Sequence, residues 1–140
     1  PKERRFLTMH TLTVKTTAPF EMIDITGRIS EILRKEKIRD GICHIFVAHT
    51  TAAVTINENA DPDVPKDMIA ILDRLVPLRG GYRHGEGNAA AHAKASLLGA
   101  SEAVLVENGR LVLGTWQGIF FCEFDGPRTR KVYVKTIADT

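Results

Sequence analysis

Polar and apolar residues alternate with a period of two in "MHTLTVKTT", a stretch rich in β-branched residues, and this predicts a strand. A weaker strand is expected after Pro19, in "FEMID". The period then changes. Ile25, Ile29, Ile32 and Leu33 recur at helical spacing in "ITGRISEILRKEKIRDG", which predicts an amphipathic helix with a charged outer face, closed by Gly41. "ICHIFVA" is apolar at both alternating sets of positions, as expected of a strand buried on both sides, and "AAVTINE" reads as its neighbour after the short "HTT" connection. A second helix is predicted in "ADPDVPKDMIAILDRLV", with Asp and Pro at its start and Met68, Ile71, Leu72 and Leu75 on one stripe. "PLRGGYRHGEG" is a loop by its glycines, and "NAAAHAKASLLG" is a third helix with Asn88 as N-cap and Gly99 as C-cap. Three strand segments close the chain: a hairpin around Asn108-Gly109 in "AVLVENGRLVLG", then "GIFFCEF", then "RKVYVKTI". The class is α+β, with about seven strands and two or three helices, in one domain spanning 1–140.

Composition narrows the function classes. With 140 residues, 44% of them hydrophobic, the chain can bury a core without metal or disulfide staples. Nineteen basic residues against 17 acidic ones, a formal charge of +2, give no general attraction for nucleic acid. No apolar run is long enough to span a membrane, and "PKERRFLTMH" lacks the apolar core of a secretory signal. A cytoplasmic protein with neither nucleic acid nor membrane as partner is the expectation. Cys43 and Cys122 lie in strand-like stretches, where a buried thiol is favoured over a disulfide or a ligand.

Candidate chemistry is concentrated in three places. His49 ends the strand carrying Cys43, Ile45 and Val47, a position from which a rigid scaffold can present a side chain. Beyond it, "NENADPD" supplies Asn57, Glu58, Asn59, Asp61 and Asp63. A turn and helix start explain Asp61 and Asp63 equally well, whereas Glu58, at the end of the apolar row of Val54 and Ile56, needs a cation or a metal as partner.

The second place is the H-x-E-x-N-x-x-x-H pattern of His84, Glu86, Asn88 and His92. Asn88 and His92, four apart, share a helix face to which His84 can fold back. Two imidazoles with one further ligand suit zinc or a similar divalent ion, with Glu86 as ligand or base. A hydrogen-bonded loop clasp is the alternative, and the helix start equally suits a phosphate. Neither a P-loop nor a dinucleotide-binding glycine motif is present. In the third place, "GTWQGIFFCEFDGPRTRK", Trp116 and Gln117 precede a strand and Asp125, Arg128, Arg130 and Lys131 follow it. Here a core or interface anchor at Trp116 and a solvated basic turn compete with a stacking surface beside a phosphate clamp led by Arg128.

Taken together, "HTTAAVTINENADPDV", "YRHGEGNAAAH", "SEAVLVENGRLVLGTWQGI" and "FCEFDGPR" closely resemble the secondary thiamine-phosphate synthase family, also called YjbQ-like. The string S-x-x-V-x-V-x-x-G-x-x-x-x-G-T-W-Q-x-I is specific to it. The resemblance implies a mixed sheet curled into a barrel of about seven strands, and a homotrimer with sites near subunit boundaries. It also implies coupling of a pyrimidine methyl diphosphate to a thiazole phosphate with release of pyrophosphate, an activity that the family name marks as secondary. The family's polar positions fall at His49, Asn57, Glu58, Asp61, His84, Glu86, Asn88, His92, Trp116, Gln117, Asp125 and Arg128. On this footing His49, His84 and His92 are expected around a divalent metal, zinc or similar. Glu58, Asp61, Glu86 and Asp125 would serve catalysis, and Asn57, Asn88, Trp116, Gln117 and Arg128 would bind a small phosphorylated metabolite whose diphosphate carries Mg²⁺. Metal-dependent hydrolysis of such a metabolite, or a non-catalytic trimeric binding module, would use the same residues.

Overall fold

A computed structural model describes residues 9–139. The charged start of the chain, from which the absence of a secretory signal was inferred, lies largely outside them. The element order is β1 (His10–Lys15), β2 (Glu21–Asp24), α1 (Thr26–Lys35), β3 (Gly41–Val47), β4 (Ala52–Glu58), α2 (Asp63–Leu75), α3 (Ala89–Leu98), β5 (Ser101–Glu107), β6 (Arg110–Leu111), β7 (Gln117–Glu123) and β8 (Thr129–Ala138). The short β6 brings the strands to eight among the described residues.

The strands form a five-stranded sheet, β1-β8-β3-β5-β6, and a three-stranded one, β2-β7-β4. Where the resemblance implied a mixed sheet, every pairing among the described residues is antiparallel. The two sheets curl toward each other at one corner. There Gly99 and Ala100 accept hydrogen bonds from Val54 N (3.2 Å) and Val47 N (2.7 Å).

The main core lies between the sheets and under α1, with Val14, Cys43, Ile45, Val47, Val54, Ile119, Phe121, Val132 and Val134 among Ile25, Ile29, Ile32 and Leu33. This confirms the helical stripe predicted for α1. Gly41, however, does not end that helix. It opens β3, where a β-carbon would lie 2.1 Å from the carbonyl oxygen of Ile137, so glycine is required by close backbone approach. At the hairpin, Asn108 (φ 53°) and Gly109 (φ 77°) both take the left-handed conformation that the predicted two-residue turn needs.

One burial expectation is reversed. β3 alternates, with Cys43, Ile45 and Val47 inside while Ile42 and Phe46 stay exposed. The strand covered on both faces is β7: Ile119 and Phe121 enter the main core, whereas Phe120 and Cys122, with Phe124 just beyond, pack with Ala53, Ala91 and Ala95 beneath α3. The central strand of the smaller sheet is thus roofed by a helix, and among the described residues β3 has no such roof. Alanines let α3 approach closely. Its Lys94 is buried, paired with Asp73 of α2 and placed 4.5 Å from the centre of the Phe20 ring. Both cysteines are buried and free, and burial raises both thiols, Cys122 to about 12. Among the described residues no helix is long and apolar enough to cross a membrane.

Candidate functional site

Four chain segments meet at one end of the smaller sheet. The turn between β3 and β4 brings His49, Thr50 and Thr51; the loop before α3 brings His84, Glu86 and Asn88; α3 itself brings His92; and the β7–β8 turn with the start of β8 brings Asp125, Arg128 and Arg130. They line one cleft of about 450 Å³. Strand ends and a helix start are rigid platforms, and sequence separation alone hides their convergence.

Asp125 organises the cleft. Its Oδ2 accepts from Asn88 Nδ2 (2.9 Å) and from Arg128 Nη2 (3.0 Å), and its backbone oxygen accepts from Arg128 Nε (2.7 Å). Asn88 stands where an N-cap is expected, yet its side chain does not cap α3, because its amide is committed to Asp125. The first N–H groups of the helix are therefore left without a side-chain acceptor, an arrangement that favours an anion. The His84 and His92 rings meet edge to face, 5.2 Å between centres, and Glu86 Oε2 lies 3.9 Å from His84 Nε2.

Beneath this layer is a pair that the sequence reading did not single out as functional. Glu123, fully buried, is bonded by Arg130 Nε (2.9 Å to Oε1) and by Arg130 Nη2. Thr16 Oγ1 donates to the same carboxylate at 2.7 Å, and Arg130 Nη2 reaches on to Thr51 Oγ1 at 2.9 Å. Burial alone would raise the Glu123 carboxyl. The hydrogen bonds from Arg130, Thr16 and the Asp125 N–H, together with the guanidinium charge, outweigh it and hold the group below its ordinary range. A signal for this pair does exist in "RTRKVYVK": Arg130, Val132 and Val134 fall on one alternating face, and an arginine on an inward face demands a carboxylate.

His49 accepts a hydrogen bond at Nε2 from the backbone N–H of Lys131 (2.9 Å). Desolvation first, then the nearby Arg130 charge, lower its basicity. The lone pair that would bind a metal through Nε2 is thereby engaged, so the expected set of His49, His84 and His92 does not fit a three-histidine centre. Among the described residues no group of three or more His, Cys, Asp or Glu side chains is arranged to hold a metal ion.

Other expected site residues are elsewhere. Glu58 pairs with Gln117 and Asn57 with Gly118 at the opposite end of β4 and β7 from Ala52 and Glu123. Seven residues of strand put them roughly 20 Å from the cleft end. Their polar groups are used locally. Asn57 Oδ1 accepts from Glu58 N (2.7 Å), Asp61 Oδ1 accepts from Asp63 N (2.9 Å) at the α2 start, and Gln117 Oε1 accepts from Gly114 N (2.8 Å). Trp116 is 62% exposed and is neither a core anchor nor part of the cleft. Within one chain, then, the structure gathers His49, His84, Glu86, Asn88, His92, Asp125 and Arg128, and leaves out Asn57, Glu58, Asp61, Trp116 and Gln117.

The class defined so far is a single α+β domain of two curled antiparallel sheets with a polar cleft at one strand end. A family model described as "UPF0047 protein YjbQ-like" matches residues 10–139, and the chain belongs to that family. It is 57% identical to UPF0047 protein YugU of Bacillus subtilis, over 91% of this chain and 97% of that one. It is 51% identical to UPF0047 protein MJ1081 of Methanocaldococcus jannaschii, over 90% of this chain and 91% of the relative. A crystal structure of a YjbQ/UPF0047 family protein from Clostridium acetobutylicum superposes with a TM-score of 0.90 at 51% identity, covering 91% of this chain and 99% of that one. A YbjQ-like protein from Sulfolobus solfataricus gives 0.91 at 37% identity, over 95% and 98% of the two chains.

Proposed function

We propose that the cleft binds small phosphorylated metabolites and couples two of them in the manner of a thiamine-phosphate synthase. The observation that carries this reading is the convergence, in one cleft, of the Arg128 guanidinium with an uncapped helix start beside histidine and carboxylate side chains. In the reaction the bond between the pyrimidine methylene carbon and the diphosphate oxygen breaks, the oxygen keeping the electron pair. The thiazole nitrogen forms the new carbon–nitrogen bond. Pyrophosphate leaves, and its growing charge is what Arg128 and the first N–H groups of α3 are placed to neutralise. Glu86 and His84, close to each other and exposed, can pass a proton to the departing oxygen.

The test is pyrophosphate release from the purified protein. Release is expected only with both precursors present, and His84→Ala should lower it about 10²-fold, the scale of a lost general acid. Release from the diphosphate alone would assign hydrolysis instead, and no release with either mixture would leave a binding module.

We also propose that copies of the chain associate as a homotrimer, as the family resemblance implies. Support comes from the face of β3 that is left uncovered among the described residues, where Ile42 stands beside Leu105 of β5 and Ile137 of β8, with Phe46 further along. Leu105 is 61% exposed and Phe46 48%, an apolar row that a partner copy would cover. Light scattering should give a trimer for the wild type and a monomer for Phe46→Glu. A monomeric wild type, or a variant that stays trimeric, contradicts the proposal.

A further inference from the structure

Two side chains in the cleft are each tied at one end by a partner that can act in only one way. A backbone N–H only donates, so the contact of Lys131 N with His49 Nε2 at 2.9 Å requires a lone pair on Nε2. In a neutral imidazole the proton is then on Nδ1. An ionised carboxylate only accepts, so the contact of Asn88 with Asp125 Oδ2 at 2.9 Å puts the amide nitrogen on that side and turns Oδ1 away from it. Asn88 keeps only 9% of its surface exposed, and Oδ1 has no hydrogen-bond partner among the described residues. A buried acceptor left unpaired costs about 1–3 kcal/mol, which a donor on a bound molecule would recover.

We infer that the cleft recognises its ligand through this polarity-locked pair, with His49 Nδ1–H as fixed donor and Asn88 Oδ1 as fixed acceptor. The location of the ligand rests on the function proposed above; the polarity of the two groups does not. The ligand must therefore offer an acceptor and a donor together. A 4-aminopyrimidine edge does so with its ring nitrogen and amino group, and a phosphate does so when it retains one proton. A fully ionised oxyanion satisfies the histidine but faces the asparagine oxygen unfavourably. His49 becomes a ligand-positioning donor rather than a metal ligand.

Nitrogen NMR of protein labelled at histidine and asparagine reads the tautomer directly. His49 is expected to carry its proton on Nδ1 and to stay unmoved on titration with zinc. Two probes are then added separately, 4-amino-5-hydroxymethyl-2-methylpyrimidine and inorganic phosphate; whichever shifts both His49 Nδ1 and the Asn88 amide identifies the source of the shared chemistry. His49→Asn, whose amide nitrogen takes the place of Nδ1, should keep affinity for that probe within about threefold, while His49→Gln, which reaches the Nε2 position, should lower it about tenfold. A proton on Nε2, a His49 signal that follows zinc, equal losses in the two variants, or no joint response to either probe overturns the inference. A protein that shows the tautomer and binds a probe but couples no precursors refutes the coupling reading alone. One that couples them with the proton on Nε2 refutes the locked pair alone.

Discussion

Replacing Glu123 with glutamine is expected to destabilise the protein by about 3–5 kcal/mol, the cost of leaving a buried cation without its counter-charge. Arg130 is 4% exposed and Glu123 not at all, so water cannot take over the role of the missing carboxylate. The loss is specific to breaking the pair. Glu123→Leu combined with Arg130→Met removes both charges and should regain most of the stability, as buried pairs replaced by apolar residues often do. Denaturant unfolding checks both variants.

Acid should act on the same group. The folded carboxyl titrates below its unfolded value of about 4.3, so the pair's contribution is complete above that pH and is lost as pH falls through the lower, folded value. In Glu123→Gln this part of the acid sensitivity should vanish. A variant as stable as the wild type, with the same acid limb, would show that the pair does not hold this end of the fold.

Arg128→Ala is expected to weaken pyrophosphate binding about 10- to 100-fold, the scale of one or two charge-assisted hydrogen bonds. Asp125 occupies Arg128 Nε and Nη2, which fixes the plane of the guanidinium and leaves its other nitrogen for a ligand. Lysine cannot reproduce this division, because one ammonium would have to serve Asp125 and the phosphate from the same point. Arg128→Lys should accordingly recover little of the lost affinity.

How far the sequence revealed this architecture depends on the range of the interactions involved. The Asn108-Gly109 hairpin was legible because its cause is local: two consecutive residues that tolerate a positive φ. The stripe of Ile29, Ile32 and Leu33 was legible for the same reason. Which strand is buried twice was not, because "ICHIFVA" and "GIFFCEF" both carry apolar residues at both alternating sets of positions, and only the docking of α3 on β7 separates them. For the site, the sequence pointed correctly to His84, Asn88 and His92 as neighbours. It did not reveal that Asp125, 37 positions along the chain, would take the Asn88 amide away from the helix cap.

The separation of Glu58 from His49 was there to be read. A seven-residue strand, β4, stands between them, and a strand carries its two ends apart by about 20 Å. Family resemblance gathered these residues into one site; the geometry of a single chain assigns them to two ends of one sheet. Tautomer state was also beyond the sequence, since it depends on a backbone N–H of Lys131, 82 positions away from His49.

The central claim is that the cleft around Asp125 and Arg128, not the Trp116 end of the sheet, receives the phosphorylated ligand. Calorimetric titration of inorganic pyrophosphate into wild type, Arg128→Ala and Trp116→Ala tests it most directly. The account predicts a loss of about 10- to 100-fold for Arg128→Ala, with Trp116→Ala binding as the wild type does. Unchanged binding in Arg128→Ala, or the larger loss in Trp116→Ala, would contradict it.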